Sequence, residues 1–289
     1  MAITAAMVKE LRERTGLGMM DCKRALEEAS GDMELAIEEL RKKSALKAAK
    51  KAGRTTADGL LGLKVSPDAK KGALIEVNIE TDFAAKNEKF IGFVDDVLNA
   101  VYGSGETDVG KLLGGELGSQ RETLVQEIGE NITVRRAAYL ETADGRIGEY
   151  LHGDRRKGAL VELSGGDAEL ARDVCMHITA LNPMVVSADQ VSPEVIAKER
   201  EIYASQAADS GKPADIVEKM VEGRVRKFLS EVSLVDQPFV KDPDTKVGKL
   251  VKDAGAECRQ FVRFEVGEGI DVEATDFASE VAAQVKGAR

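Results

Sequence analysis

Apolar residues recur three and four positions apart through roughly the first 50 residues, and glycines interrupt them at intervals. Val8 and Leu11 lie on one helix that Thr4 can cap and that stops at Thr15 and Gly16. Cys22, Leu26 and Ala29 mark a second helix ending at Ser30 and Gly31, and Asp32 can cap a third that carries Met33, Ile37 and Leu40 on one face. Helices this short hold their structure only when packed together, so the pattern predicts a small three-helix bundle.

Beyond the bundle the period changes from helical to alternating. KKGALIEVNIE, from Lys70 to Glu80, is echoed by RKGALVELSGG, from Arg156 to Gly166, and both read as half-buried strands. Each precedes a helix, striped by Phe90, Val94, Val97 and Val101 in the first unit and by Leu170, Val174, Ile178 and Leu181 in the second. A later strand closes each unit, ENITVRRAAYLE from Glu130 and ECRQFVRFEV from Glu257. Gly72 to Glu130 spans 58 positions and Gly158 to Glu257 spans 99, so the second unit holds an insertion. Ser192 and Pro193 open one helix within it, Gly211 to Pro213 turn the chain, and Pro213 opens a second helix reaching Leu229. This is an antiparallel helical hairpin that is expected to project from the body, as an appendage or as a dimerisation or partner arm. Phe277, Val281 and Val285 stripe a short terminal helix.

The expected fold is therefore α+β. Its parts are a three-helix (UBA-like) domain over 1–53, a first core subdomain over 54–141 and a second over 142–190 and 231–268. The hairpin occupies 191–230 and a C-terminal module 269–289.

Composition narrows the function. The chain has 289 residues, 43% hydrophobic and 32% charged, with 41 Lys and Arg against 51 Asp and Glu and a net charge of -10. That balance repels nucleic-acid backbones unless basic residues gather on one face. The stretch from Lys42 to Arg54 is such a gathering, but lysines on an alanine-rich helix leading to a linker at Gly53 are more commonly a solvated face. No apolar run reaches the roughly 18 residues of a membrane span, and no cleavable leader is evident, so a soluble, unprocessed cytoplasmic protein is expected. Three cysteines without a Cys-x-x-Cys pair fit a reducing compartment and no zinc site.

Catalytic chemistry is poorly supplied. There are two histidines, His152 and His177, and His177 sits in an apolar stripe where a satisfied side chain is commoner than a ligand. No nucleophile elbow occurs, and the Gly-Lys pairs at Gly110, Gly211 and Gly248 are not followed by Ser or Thr, so no phosphate-cradling loop is present. No cofactor and no metal are expected. Thr81-Asp82-Phe83-Ala84 stands out between the first long strand and its helix. An aromatic there is either tucked under its own helix, the commoner outcome, or exposed as an anchor for a partner. A second Thr-Asp-Phe, at Thr275 to Phe277, is explained by packing of the terminal helix.

Several segments together carry a resemblance. VKELRERTGLGMMDCKRAL from Val8, KAAKKAGR ending at Arg54, the Thr81-Asp82-Phe83 motif, IGENITVRR from Ile128, EKMVEGRVRKF, EVSLVDQPFV and FVRFEVGEGI occur in the order found in elongation factor Ts. The chain resembles that family over essentially its whole length. The resemblance implies a guanine-nucleotide exchange factor whose partner is elongation factor Tu, GDP-bound or nucleotide-free. It implies that Phe83 acts as a wedge that disrupts the partner's Mg²⁺ site, with Asp82 making the polar contact that holds it. Arg12, Met19, Met20, Ile128 and His152 match further contact positions, the last two in loops of the core. Ala84 departs from the larger aliphatics common there. A ribosome- or RNA-binding protein and an α+β metabolic enzyme are the competing readings.

Overall fold

The computed structural model describes residues 3–208 and 213–271. The expected bundle forms from α1 (Ala5–Thr15), α2 (Met19–Glu28) and α3 (Met33–Lys51). Thr4 accepts the Met7 N–H at 3.3 Å, and Asp32 accepts that of Leu35 at 3.0 Å, so both predicted caps are made. Gly16 closes α1 at φ 73°, where a side chain would be strained. Val8, Leu11, Leu17, Cys22, Leu26 and Leu40 fill the bundle's core.

The third helix runs 19 residues without a break and ends at Lys51, before Gly53, and its lysine-rich half is the helical, solvated face expected. The lysines are solvated, and Lys42 pairs with Glu38 at 2.9 Å and Glu39 at 3.1 Å. Between them Ser44 and Ala48 are buried, because their small side chains let α3 approach α6 (Glu116–Ile128) closely. The Ser44 hydroxyl meets Gln126 Oε1 at 2.7 Å, and Ala48 joins the core beneath the first sheet.

That sheet has the order β1-β2-β3, built from β1 (Asp58–Val65), β2 (Lys71–Ile79) and β3 (Ile132–Glu141). Between β2 and β3 run α4 (Glu88–Ser104), α5 (Val109–Leu112) and α6. The second sheet repeats the plan with β4 (Arg146–Leu151), β5 (Lys157–Leu163) and, after α7 (Ala168–Leu181), β8 (Cys258–Glu265). Both sheets are antiparallel, and their registers correspond: Gly72 faces Val65 and Leu140, while Gly158 faces Leu151 and Phe264. The leading strands β1 and β4 have no counterpart in the sequence reading. Glycines interrupt their alternation; at Gly59, φ 144°, a Cβ would lie 2.2 Å from the Val77 carbonyl oxygen.

The strands read as half-buried are in fact buried on both faces. Ala73, Ile75, Val77 and Ile79 of β2 pack under Phe90, Val94, Val97 and Val101 of α4, and Ala159, Val161 and Leu163 of β5 pack under α7. The other faces meet each other, with Leu61, Leu74, Leu140, Ile147, Leu160 and Phe264 between the sheets. The polar alternates that suggest solvent are buried ion pairs. Glu76 is fully buried and accepts from Arg136 at 2.6 Å, Arg135 at 3.1 Å and the Gly267 N–H at 2.9 Å. Glu162, at the equivalent place, accepts from Arg259 at 3.1 Å and Gln260 at 2.7 Å. Such groups are tolerated inside a protein only because they are paired and hydrogen-bonded.

The insertion is a hairpin of α8 (Pro193–Ala208) and α9 (Ala214–Val232). It zips through Ile196, Tyr203, Ala207, Val221, Val225 and Leu229. Gly211 and Lys212 of the expected turn lie outside the described residues, as does the terminal helix with Phe277, Val281 and Val285. A short ribbon, β6 (Pro238–Phe239) and β7 (Asp242–Lys246), and α10 (Val247–Asp253) follow, none of them read from the sequence. At the hairpin's base Met184 N and Val185 N donate to Val232 O at 2.8 and 3.3 Å. There His177, fully buried, accepts the Val240 N–H on Nδ1 at 3.1 Å. Its Nε2 therefore donates to Gln237 Oε1 at 2.9 Å, which requires the neutral imidazole. Burial lowers its pKa, opposed by the Gln237 hydrogen bond.

Two outcomes follow from this architecture. Excising Pro193–Leu229 and joining the ends by a short linker keeps the base hydrogen bonds, so the remainder is expected to unfold in one cooperative urea transition; loss of cooperativity would make the hairpin part of the core. Because the unfolded chain protonates its histidines near pH 6.5 and folded His177 does so only at lower pH, the unfolded state binds more protons in that window. Stability present above about pH 6.5 is therefore lost as the pH falls below it. Urea midpoints between pH 8 and 5.5 measure this slope, which should be shallower in His177→Gln.

Candidate partner-binding site

The chain leaves β2 at Ile79 and must turn before α4 begins at Glu88. Glu80 and Thr81 continue past the end of the β2–β3 ladder, whose last pair is Ile79 and Ile132. Beyond it side chains take over the pairing. Glu130 accepts the Thr81 N–H at 3.0 Å and the Thr81 hydroxyl at 2.8 Å, while Glu80 accepts the Asn131 N–H at 2.6 Å. The Thr81 hydroxyl also accepts the Ala84 N–H at 3.1 Å. A single 3₁₀ turn, Ala84–Lys86, follows, and Asn87 caps α4 by accepting the Lys89 N–H at 2.9 Å.

This turn separates its side chains sharply. Ala84 and Ala85 point inward and are buried with Val77 and Phe90 in the α4 core. Phe83 points outward and is 84% exposed. Of the two readings open from the sequence, the commoner one, tucked under its own helix, does not hold here: the two alanines occupy that space. Asp82 lies beside Phe83 and pairs with Lys86 at 2.9 Å. The Lys86 hydrogen bond is the main reason its carboxyl titrates below the usual range, so it is charged at neutral pH. Arg156 contributes a smaller pull.

The other anticipated positions lie on separate elements, of which the loop joining α1 and α2 meets the start of α4. Met19 and Met20 open α2 and are 59% and 66% exposed, and Arg12 is exposed on α1. The loop between these helices abuts the body: a Cβ on Gly16 would lie 2.6 Å from Glu127 of α6, whose carboxylate also holds Lys89 of α4 at 2.6 Å. A cleft of about 490 Å³ between Thr15, Leu17, Ser44, Phe93 and Glu127 runs along this contact. Ile128 is the last residue of α6 and half-buried rather than in a loop, since it packs against the α4 core. His152 is exposed in the β4–β5 turn, with its Nδ1 3.3 Å from the Tyr150 hydroxyl. That turn docks on β1 through Arg155, which donates to Leu61 O at 3.1 Å, and Arg156, which pairs with Asp58 at 2.5 Å. Asp58 faces Ile79 in the ladder, two residues before Thr81.

Sequence reasoning did not single out Glu80, Glu130, Asn131 or Lys86. Glu130 and Asn131 stand inside the quoted IGENITVRR segment, but only the fold places them opposite Thr81. Cys175 and Cys22 are buried and Cys258 partly so, and burial raises all three thiols, Cys258 to about 12. Among the described residues no three His, Cys, Asp or Glu side chains cluster as metal ligands do, and no helix is long and apolar enough to cross a membrane.

With an exposed aromatic on a braced turn in place, comparison with known proteins identifies its setting. The family model described as "Elongation factor TS" matches residues 80–268, from the start of this turn to the end of β8 and just past it. The chain belongs to the elongation factor Ts family. The elongation factor Ts of Hahella chejuensis is 60% identical over 286 residues, covering 99% of both chains. That of Saccharophagus degradans is 56% identical, covering 99% of this chain and 98% of its own. That of Thioalkalivibrio sulfidiphilus is 55% identical over the full length of both. The mixed helical and antiparallel-sheet architecture agrees with the α+β fold expected of the family.

Because Phe83 contacts so little of its own chain, Phe83→Ala is expected to change unfolding free energy by no more than about 1 kcal/mol, against about 3 to 5 kcal/mol for a buried phenylalanine such as Phe90. Urea melts of Phe83→Ala and Phe90→Ala make the comparison; equal losses would mean that Phe83 is a core residue.

Proposed function

We propose that the chain is a cytoplasmic guanine-nucleotide exchange factor for elongation factor Tu, acting in translation elongation by binding and not by covalent chemistry. The observation that carries this reading is Phe83, an 84% exposed aromatic on a turn whose neighbours Ala84 and Ala85 are locked into the core. Aromatic side chains, phenylalanine among them, are enriched in the cores of protein interfaces, where a few buried anchors carry most of the binding energy. Family membership supplies the partner. Thr81, Asp82, Phe83 and Ala84 form the element that reaches the partner's nucleotide domain. Phe83 wedges between its helices and Asp82 fixes the wedge by a polar contact. Arg12, Met19, Met20, Ile128 and His152 widen the interface, with the methionines suited to an adaptable apolar contact.

The chemistry of release is electrostatic. In the partner's site Mg²⁺ is the largest positive charge holding the diphosphate, so displacing its ligands weakens the hold on GDP. By linkage GDP weakens binding of the factor by the same ratio, and the factor speeds exchange without moving its equilibrium. We further assign the bundle (1–53), the two core subdomains (54–141; 142–190 with 231–268), the hairpin (191–230) and the C-terminal module (269–289) as separate domains of this factor. The alternative of an RNA-binding protein has less support, since the basic face of α3 is interleaved with glutamates and the chain is acidic overall.

The deciding experiment is release of a fluorescent GDP analogue from elongation factor Tu by stopped flow. Wild type is expected to accelerate it. Aromatic anchors contribute about 2 kcal/mol or more, so Phe83→Ala should lower the exchange efficiency about 30-fold, and Asp82→Ala should lower it less. A folded Phe83→Ala protein that exchanges normally would remove the wedge.

A further inference from the structure

The wedge turn is held by a pair of carboxylates that cross between the two strands it separates. Glu80, at the exit of β2, accepts the Asn131 N–H at 2.6 Å; Glu130, at the entry of β3, accepts the Thr81 N–H at 3.0 Å and its hydroxyl at 2.8 Å. Each acid thus satisfies a backbone donor of the opposite strand just where the ladder has ended. The arrangement reaches Phe83 through one residue. The Thr81 hydroxyl, having given its proton to Glu130, accepts the Ala84 N–H at 3.1 Å, and the Thr81 carbonyl accepts that of Ala85 at 3.1 Å. Phe83 lies inside that closed loop. The clasp also reaches the other way. Asn131 donates its amide to Arg54 O at 3.0 Å and Ala52 O at 3.4 Å, and Lys51 bonds to Gly129 O, so the same corner grips the end of α3, the helix on which the bundle is built.

We infer that Glu130, acting through Thr81, is a positioning residue that holds Phe83 in its outward, exchange-competent orientation, with the Glu80–Asn131 contact closing the other half of the clasp. This rests on the exchange-factor reading for its functional consequence, but not for its structural one. A hydrogen bond to a carboxylate is shorter and about twice as strong as a neutral one, which suits a solvent-facing corner where ordinary backbone pairing has stopped. Without Glu130 the Thr81 N–H and hydroxyl lose their shared acceptor, so the residue from which the turn starts is held less firmly although Ala84 and Ala85 stay buried, and an anchor with more freedom must be ordered again in every encounter.

Two readouts test it on the full-length chain. The sequence has no tryptophan, so Phe83→Trp introduces one tryptophan at the wedge position, which can be excited at wavelengths where the four tyrosines do not absorb. In that background Glu130→Ala and Thr81→Val are expected to lower the residual fluorescence anisotropy of the probe, with Glu130→Gln and Thr81→Ser recovering most of the loss. Unchanged anisotropy overturns the inference, whatever the chain does to GDP. The second readout is GDP release from elongation factor Tu at saturating factor. A misplacement of about 1 Å at a reacting site costs up to about a hundredfold, and a loosened turn should cost about tenfold in the maximal rate, with less than about a twofold change in half-saturation. In a Phe83→Ala background Glu130→Ala should have no further effect, because its contribution passes through the ring. A Glu130→Ala loss that persists undiminished without Phe83 would make Glu130 merely structural and overturn the inference. If Glu130→Ala fails to fold, Thr81→Val set against Thr81→Ser gives the same two answers. Failure of wild type to release GDP while the anisotropy pattern holds would count against the exchange-factor reading and leave the clasp standing.

Discussion

The central strand β2 has neither a free edge nor a free face, and the rest of the molecule follows from that constraint. β1 and β3 pair with its edges, α4 covers one face, and the second sheet covers the other. A strand fixed on four sides cannot slide or twist at its end, so the turn that leaves it starts from a point as rigid as the core itself. The buried carboxylate of Glu76, gripped by Arg135 and Arg136 and by the Gly267 N–H, pins β2 to β3 and to the segment after β8. Removing one partner from such a buried pair typically costs about 3 to 5 kcal/mol, so the two sheets are specified in register as well as held together.

Rigidity at that point gives meaning to exposure a few residues later. An aromatic on a mobile loop would lose conformational freedom on binding, and that loss would subtract from affinity. Phe83 instead sits in a turn closed by the Thr81 hydroxyl, Ala84 and Ala85, with its neighbours already buried. Three further groups of residues, exposed on α1 and α2, half-buried at the end of α6 and exposed on the β4–β5 turn, lie on elements joined to the first core unit near Glu127, Lys89, Arg155 and Arg156. The contact surface proposed here, drawn from four separate stretches of sequence, would thereby be carried on one packed body.

Much of this was legible in the sequence, and the parts that were not share a cause. The caps Thr4 and Asp32, the apolar stripes of α4 and α7, the duplicated Lys-Gly-Ala-Leu strands and the length of the inserted hairpin are all local or periodic signals. β1 and β4 escaped because glycines break their alternation where another element comes close, the backbone of β2 at Gly59 and Ala171 of α7 at Gly148. The second buried face of β2 and β5 escaped because Glu76 and Glu162 look like solvent positions until their arginines, about 60 and 97 residues away in sequence, are brought to them. Glu130 escaped for the same reason, its partner Thr81 lying 49 positions earlier. The four residues of the turn were visible as a motif, but whether Phe83 faced in or out depended on the core being filled already by Ala84 and Ala85.

The central claim is that binding of this chain and binding of GDP oppose each other through Phe83. Linkage turns it into one ratio: the affinity of the chain for nucleotide-free elongation factor Tu divided by its affinity for the GDP- and Mg²⁺-bound form. Isothermal titration calorimetry of wild type and Phe83→Ala against both forms measures it directly. Wild type is expected to give a large ratio that collapses toward one in Phe83→Ala, with the loss of affinity concentrated in the nucleotide-free form. An undiminished ratio in Phe83→Ala would contradict it.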